Sequence, residues 1–192
     1  MARSKEFEES EVLLKAMYLF WEQGYEKTSL QDLVEHMGIH RRSLYDTFGD
    51  KHTLFIKTME QYAKFANATI KAEAQRGRTA KESIRLIFDY LIETNGEQPL
   101  GCFFVNSATE LAYRDPAVNE LTSEGFNKGE QFLVELLQQG RQKGEISADL
   151  DPYQLASSLY TTMIGLRVLK RTSADKKKLH QIAEVSMAML DK

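Results

Sequence analysis

The chain has 192 residues, a hydrophobic content of 42%, a charged content of 28% and a formal net charge of −3. These values are ordinary for a folded globular protein, and the slight negative charge excludes a nucleic-acid binder that relies on a globally basic surface. No apolar run is long enough to cross a bilayer, and the single cysteine, Cys102, excludes an intrachain disulfide framework, so we expect a cytoplasmic protein without membrane contacts.

Apolar residues recur with helical periodicity along the chain, and no segment shows the alternation of a strand. The pattern predicts helices at about 8–23, 29–37, 40–48, 51–76, 79–94, 101–113, 115–143, 152–170 and 175–190. The predicted fold is therefore all-α, with about nine helices. We place a three-helix domain at residues 1–50 and a second domain at residues 51–192, with a long linking helix at about 51–76.

The second and third predicted helices form a helix-turn-helix around the turn at Gly38. Leu44 and Phe48 are four residues apart and should face the core, so Arg41, Arg42 and Tyr45 should point elsewhere. Arginine can make bidentate contacts with guanine, and Tyr45 is better placed for a phosphate. Taken singly, the arginines could also be a solvated helix end and Tyr45 a packing residue. Their combination favours DNA binding.

Residues 13–55 closely resemble the DNA-binding domain of the TetR family of bacterial transcriptional repressors. The matching pattern is Leu19-Phe20, Gly24-Tyr25, Thr28-Ser29, Asp32-Leu33, Gly38-Ile39, Leu44-Tyr45, Phe48, Lys51 and Leu54-Phe55. The resemblance implies phosphate contacts for Thr28, Tyr45 and Lys51, and Ser29 is a further candidate DNA-binding residue. The resemblance also implies contacts with base edges or nearby phosphates for His40, Arg41 and Arg42. His40 departs from the family pattern, which usually has Ser or Thr there, and histidine is a poorer N-cap than either.

The same resemblance implies that residues 55–192 bind an effector and form a dimer. The segment from Gly101 to Glu110 mixes aromatic with polar side chains, as a ligand site would. The candidate effector-binding residues are Tyr62, Phe65, Cys102, Phe103, Asn106, Glu110, Phe126, Tyr160 and Met163. Core packing is the alternative for the aromatic residues. No cation flanks Cys102 in the sequence, which favours a plain buried cysteine over a reactive sensor.

The last two predicted helices carry more apolar surface than one buried stripe requires, together with small residues that permit close helix approach. We expect them to form a four-helix bundle with a second copy. The candidate interface residues are Leu155, Leu159, Leu166, Ile182, Val185 and Met189. Two-fold symmetry would place two recognition helices on a palindromic site in double-stranded DNA.

The sequence thus predicts a homodimeric DNA-binding transcriptional regulator. We expect a repressor that is released from a palindromic operator by an unidentified small apolar or amphipathic effector. A ligand-independent or activating regulator is the first alternative. A helical enzyme is a remote one, because the four histidines are scattered and no nucleophile–base order or glycine-rich phosphate loop is present. No metal or cofactor is expected.

Overall fold

The computed structural model describes residues 8–94, 99–172 and 175–191. Within these ranges the chain forms nine α-helices and no strand, so the predicted all-α fold is confirmed. The helices are α1 (Glu9–Gln23), α2 (Leu30–Met37), α3 (Arg41–Phe48), α4 (Lys51–Ala74), α5 (Ala80–Glu93), α6 (Phe103–Leu111), α7 (Pro116–Gln142), α8 (Pro152–Arg171) and α9 (Lys176–Met187). A 3₁₀ turn, Ala188–Asp191, follows α9.

Local sequence signals explain where several helices begin. Ser29 accepts a hydrogen bond from the Asp32 backbone N–H, and the Asp32 carboxylate accepts one from the Ser29 backbone N–H at 2.8 Å, which makes a capping box. Asp50 caps α4 by accepting from the Thr53 backbone N–H. Asp151 caps α8, with proline in the first helical position. These caps explain where α2, α4 and α8 begin.

The three N-terminal helices, which we call the reading head, pack around one apolar cluster with α4. Phe20, Leu33 and Leu44 are fully buried in this cluster. It continues past residue 50 to Tyr62 and Phe103, so the apolar core crosses the domain boundary proposed from the sequence. A second apolar cluster joins α5, α7, α8 and α9. In the described ranges no helix is long and apolar enough to span a bilayer.

Candidate functional site

The outer surface of α3 carries the side chains expected to meet DNA. Leu44 and Phe48 are 0% and 2% exposed, whereas Arg41, Arg42 and Tyr45 are exposed. This orientation agrees with the spacing argument. The Arg42 side chain is 92% exposed and lies 3.6 Å from the Asp46 carboxylate. An ion pair this exposed contributes little, so the Arg42 guanidinium can leave it for a stronger acceptor.

Tyr45 and Lys51 border the same surface. The Arg41 guanidinium lies 5.9 Å from the centre of the Tyr45 ring. Lys51 is the first residue of α4, and its ammonium lies 4.2 Å from the centre of the Tyr25 ring. A helix N-terminus attracts phosphate through its free N–H groups and its dipole. Arginines on α3 and Lys51 at the start of α4 are therefore the candidate cations for DNA contacts, with the Asp46 and Asp50 carboxylates beside them in the chain. Their DNA contacts remain predictions.

Thr28 differs from the expectation for a phosphate-binding side chain. It is 0% exposed, and its hydroxyl donates to the Gly24 carbonyl at 2.6 Å. The Ser29 hydroxyl is used in the capping box, although Ser29 itself is exposed. Both hydroxyls stabilise the turn between α1 and α2, so a direct phosphate contact by the Thr28 side chain does not fit this conformation. His40 is exposed at the start of α3 and makes no side-chain cap.

The C-terminal end of α1 is held by side chains from α6 and α8. The Trp21 carbonyl accepts from the Asn106 amide at 3.3 Å and from the Arg171 guanidinium at 3.4 Å. Arg171 also donates to the Glu22 carbonyl at 3.0 Å. These carbonyls lie in the last turn of α1, where the helix offers them no backbone donor. The interactions therefore join the reading head to the rest of the molecule.

Glu110 completes this attachment at the turn that follows α1. Its carboxylate accepts from the Tyr25 backbone N–H at 3.0 Å and from the Glu26 backbone N–H at 2.8 Å. Gly24 has a φ of 87°, and a Cβ there would lie 2.8 Å from a Glu110 carboxylate oxygen. Glycine therefore provides both the backbone conformation and the space for the carboxylate. We call Asn106, Glu110 and Arg171 the clasp.

A cavity of about 900 Å³ is lined by side chains from α4 to α8. Of the predicted effector residues, five line it: Tyr62, Cys102, Phe126, Tyr160 and Met163. Asn106 and Glu110 do not; they belong to the clasp, and their assignment to the effector site is corrected on that ground.

Two predicted aromatic residues are also placed elsewhere. Phe103 is 1% exposed and packs edge-on against the rings of Phe55 and Tyr62, both at 5.6 Å between centroids. It is a core residue, as the alternative interpretation held. Phe65 lines a smaller adjoining cavity of about 60 Å³ that also touches Trp21. Neither residue lines the large cavity.

Arg167 is a cavity residue that the sequence interpretation missed. Its guanidinium donates to the Cys102 sulfur at 3.0 Å, and the Tyr62 hydroxyl donates to the same sulfur at 3.3 Å. Burial raises the pKa of the Cys102 thiol, but the Arg167 charge and the hydrogen bonds from Tyr62 and from the Val105 backbone N–H outweigh it and leave the pKa below its ordinary value. The sequence offered no flanking cation that would lower the pKa of Cys102, but the fold brings Arg167, 65 residues away in sequence, against its sulfur. The position of Arg167 four residues after Met163, on the apolar side of α8, is the signal that could have found it.

This lowered pKa predicts a pH-dependent contribution of Cys102 to stability. Because the pKa is lower in the folded protein, the ionised thiol stabilises the fold fully above the unfolded-chain value of about 8.5, and this stabilisation is lost as the pH falls through the folded value. We expect the unsubstituted protein to have a larger free energy of unfolding relative to Cys102→Ser as the pH rises from the folded pKa of Cys102 to the unfolded one. Urea unfolding at several pH values measures the difference. A difference that is constant or decreases with pH would contradict the assignment.

The predicted dimer residues divide into two groups. Leu155, Leu159 and Leu166 are 9%, 0% and 2% exposed and pack in the protomer's own core, so their assignment to the interface is corrected. Val185 on α9 is 75% exposed, whereas Ile182 and Met189 are partly buried. The sequence pattern alone could not separate the two faces of α8, because both carry small or apolar residues.

On α8 the outward face instead carries Ser158, Thr161, Gly165 and Val168, all exposed. Val168 is 47% exposed, and a Cβ at Gly165 would meet no atom within 4 Å. The small side chains would let a second helix approach this face closely. In the described ranges no group of three or more His, Cys, Asp or Glu side chains could hold a metal ion.

An exposed α3 with paired arginines, preceded by a capped α2 and a glycine turn, defines a DNA-binding regulator of the helix-turn-helix class. Residues 12–58 match the model of the bacterial regulatory proteins, tetR family, and residues 80–185 match that of the Tetracyclin repressor-like C-terminal domain. The chain belongs to the TetR family of transcriptional regulators, as its sequence motifs had implied.

Individual relatives agree with this assignment. The chain is 34% identical to the HTH-type transcriptional regulator YezE of Bacillus subtilis, over all of both chains. It is 33% identical to the HTH-type transcriptional repressor ComR of Escherichia coli, over 97% of this chain and 90% of that one. Among solved structures, a cysteine-substituted form of the TetR family regulator CifR, complexed with a 26-base-pair operator DNA, superposes with a TM-score of 0.90 at 26% identity and covers 98% of this chain and 100% of its own. The family members and structural neighbours are transcriptional regulators, not enzymes, and the family acts as dimers.

Proposed function

We propose that the protein is a cytoplasmic homodimeric repressor that leaves a palindromic operator when a small molecule enters the cavity. One observation carries this proposal: α6 and α8 each line the cavity and also hold the reading head. Cys102, at the start of α6, lines the cavity, and Glu110, near its end, binds the turn after α1. Arg167 on α8 lines the cavity, and Arg171, one helical turn later, binds the end of α1.

These two helices give the effector a physical route to the DNA. A ligand that moves either helix alters the hydrogen bonds between the clasp and the end of α1, because both helices are packed as rigid rods. The reading heads of the two protomers would then change their separation and lose register with successive turns of the major groove. A coupling free energy of about 1–3 kcal/mol between the two sites is typical of such linkage.

An ion pair and a histidine–carboxylate hydrogen bond near the junction of α6 and α7 provide a further link to the head. The Arg114 guanidinium lies 2.5 Å from the Glu26 carboxylate. The His52 ring, in the first turn of α4, lies 2.7 Å from the Asp115 carboxylate. Asp115 also caps α7, which forms one wall of the cavity. Movement of α7 on ligand binding would therefore reach α4 beside Lys51.

Selection of bound fragments from genomic DNA with the purified protein, at near-physiological salt, tests the DNA-binding part of the proposal. We expect one enriched palindrome, as a symmetric dimer requires. Salt-sensitive binding without a common motif would contradict sequence-specific repression. Reporter expression from the selected site, with the gene present and deleted, then decides the sign of regulation: lower expression after deletion would favour the activating alternative.

Self-association is tested at Val185. We expect Val185→Glu to weaken the dimer, because a charged side chain would replace an exposed apolar one on the proposed interface and would lose water when a second copy covers it. Analytical ultracentrifugation should show a larger monomer fraction, and operator affinity should fall with it. Tyr113→Glu, at a side chain that is 80% exposed between α6 and α7, is the control and should leave the dimer intact. Equal dimer fractions in both variants would place the interface away from Val185.

A further inference from the structure

Arg167 places a positive charge at the wall of the cavity without a carboxylate to balance it. Among the residues that the structure describes, its one hydrogen bond goes to the Cys102 sulfur, and no Asp or Glu lies within ion-pair distance. A guanidinium has several N–H donors in a planar fork, and a single sulfur leaves most of them unused. Cys102 can balance the Arg167 charge when its thiol is ionised, but a single sulfur cannot satisfy the remaining N–H donors, which therefore indicate a further acceptor that the chain itself does not supply.

The Tyr160 hydroxyl is a second unused donor at this wall. In the described part of the chain it has no hydrogen-bond partner, and Tyr160 lines the cavity with Arg167. The hydroxyl is beside Gly129 on α7, where a Cβ would lie 2.5 Å away, so glycine leaves room for it. Burial raises the pKa of Tyr160 to about 12, although the Arg167 charge acts in the opposite direction. The hydroxyl therefore keeps its proton at neutral pH and can donate.

The remainder of the cavity has a different character. Ile87, Leu91, Phe104 and Met163 provide apolar walls. The carboxylates that line it, such as Glu120 and Glu124, are exposed to solvent, and Glu124 is paired with Lys128 at 2.6 Å. Solvent and salt screen such exposed charges, so they neither hold an anion at the mouth nor prevent its entry. The cavity thus has one polar wall, at Arg167 and Tyr160, and is otherwise mainly apolar.

We infer that the cavity binds an amphipathic carboxylate, whose anionic group accepts hydrogen bonds from Arg167 and Tyr160 and whose apolar body fills the space between α5, α6 and α8. Arg167 can meet a carboxylate with two parallel N–H donors, which is the geometry that guanidinium and carboxylate groups prefer. The same charge repels cationic ligands, and a neutral ligand can accept hydrogen bonds from these donors but supplies no counter-charge to the guanidinium. The inference names the effector class of the proposed repressor and rests on that proposal for its regulatory consequence.

Paired probes test the charge requirement without any substitution. Isothermal titration of the purified dimer with decanoate against decanol, and with naphthoate against naphthol, compares an acid with an alcohol on a flexible and on a flat apolar body. We expect at least one acid to bind roughly tenfold or more tightly than its alcohol, which corresponds to about 1.4 kcal/mol. The inference is overturned if neither acid binds or if each alcohol binds as tightly as its acid.

Substitutions then assign the preference to the two donors. Arg167→Gln should reduce the affinity for the acid by roughly tenfold or more and leave the affinity for the alcohol unchanged. Arg167→Lys keeps the charge but loses the planar pair of donors, so its affinity for the acid should lie between those of the unsubstituted protein and Arg167→Gln. Tyr160→Phe should weaken acid binding less than Arg167→Gln does, and the variant should remain folded. Lys128→Gln removes an exposed cation from the same cavity and is the matched control. Equal losses in Arg167→Gln and Lys128→Gln would contradict a specific carboxylate site.

Operator binding, measured with and without the acid, separates this inference from the proposed function. Acid binding that depends on Arg167 and also releases the operator would support both. Acid binding that depends on Arg167 but leaves operator affinity unchanged would keep the binding site and refute release by this class of effector. Normal operator binding with no preference for the acid would refute the inference alone.

Discussion

Replacing Arg42 with alanine is expected to weaken binding to the selected operator by about 1–3 kcal/mol if its guanidinium contacts a base. The side chain is 92% exposed, and its ion pair with Asp46 is too exposed to compete with guanine acceptors. Arg41→Ala should have an effect of the same size if Arg41 is the base-reading residue instead. Gel-shift titrations against the operator and against single-base variants measure both quantities. The variant that reads a base should also lose discrimination at that base.

Lys51 distinguishes phosphate binding from base reading on the same surface. Lys51→Ala should weaken binding to all DNA sequences alike. It should also reduce the magnitude of the slope of log affinity against log salt by about 1, the contribution of one phosphate contact. Arg141→Ala removes an exposed cation near the end of α7, on a helix outside the reading head, and is the charge-matched control. If Arg41, Arg42 and Lys51 variants all bind the operator like the unsubstituted protein, the assignment of α3 as the recognition helix is wrong.

Glu110→Ala is expected to lower the free energy of unfolding by about 1–3 kcal/mol and to uncouple the cavity from the reading head. The carboxylate accepts two hydrogen bonds, from the Tyr25 and Glu26 backbone N–H groups. Its loss leaves these donors to water and removes one of the three clasp residues. We therefore expect the effector to change operator affinity less in the variant than in the unsubstituted protein, even where the variant still binds DNA.

Urea unfolding, amide hydrogen exchange and gel-shift titration check this prediction at separate levels. Exchange should become faster at Tyr25 and Glu26, where the acceptor is lost. Glu110→Gln, which keeps one carbonyl acceptor but no charge, should have a smaller effect. Glu60→Ala, at an exposed position on α4 that does not line the cavity, is the control. A Glu110→Ala protein with unchanged stability and unchanged coupling would show that the clasp is only a surface contact.

Local sequence patterns predict most of the structure of the reading head. The capping box of Ser29 and Asp32, the N-cap at Asp50 and the helical spacing of Leu44 and Phe48 are interactions between residues at most four apart. Such interactions depend on the local chain, so the sequence predicted the helices, their order and the outward orientation of Arg41 and Arg42. The phosphate contact that the family resemblance implied for Thr28 does not fit the structure, because the side chain is buried and its hydroxyl donates to the Gly24 carbonyl.

The cavity and the clasp depend on contacts between residues far apart in the chain. Asn106 and Glu110 looked like ligand anchors because they are polar residues one turn apart on an apolar helix. Their partners at Trp21 and Tyr25 are 85 residues away, and no periodicity indicates which carbonyl or N–H will reach them. Cys102 had no cation beside it in sequence, yet the packing of α8 places Arg167 against its sulfur.

By itself the sequence determined the helices, the helix-turn-helix and the family, because these depend on local spacing, capping and short motifs. The packing of α6 and α8 determined which polar residues line the cavity and which hold the reading head. Packing of α8 with α5, α7 and α9 buries Leu155, Leu159 and Leu166 in the protomer's own core, whereas Val185 on α9 stays exposed. A helical pattern shows that a face is apolar, but only the neighbouring helices determine whether that face meets its own chain, a ligand or a second copy.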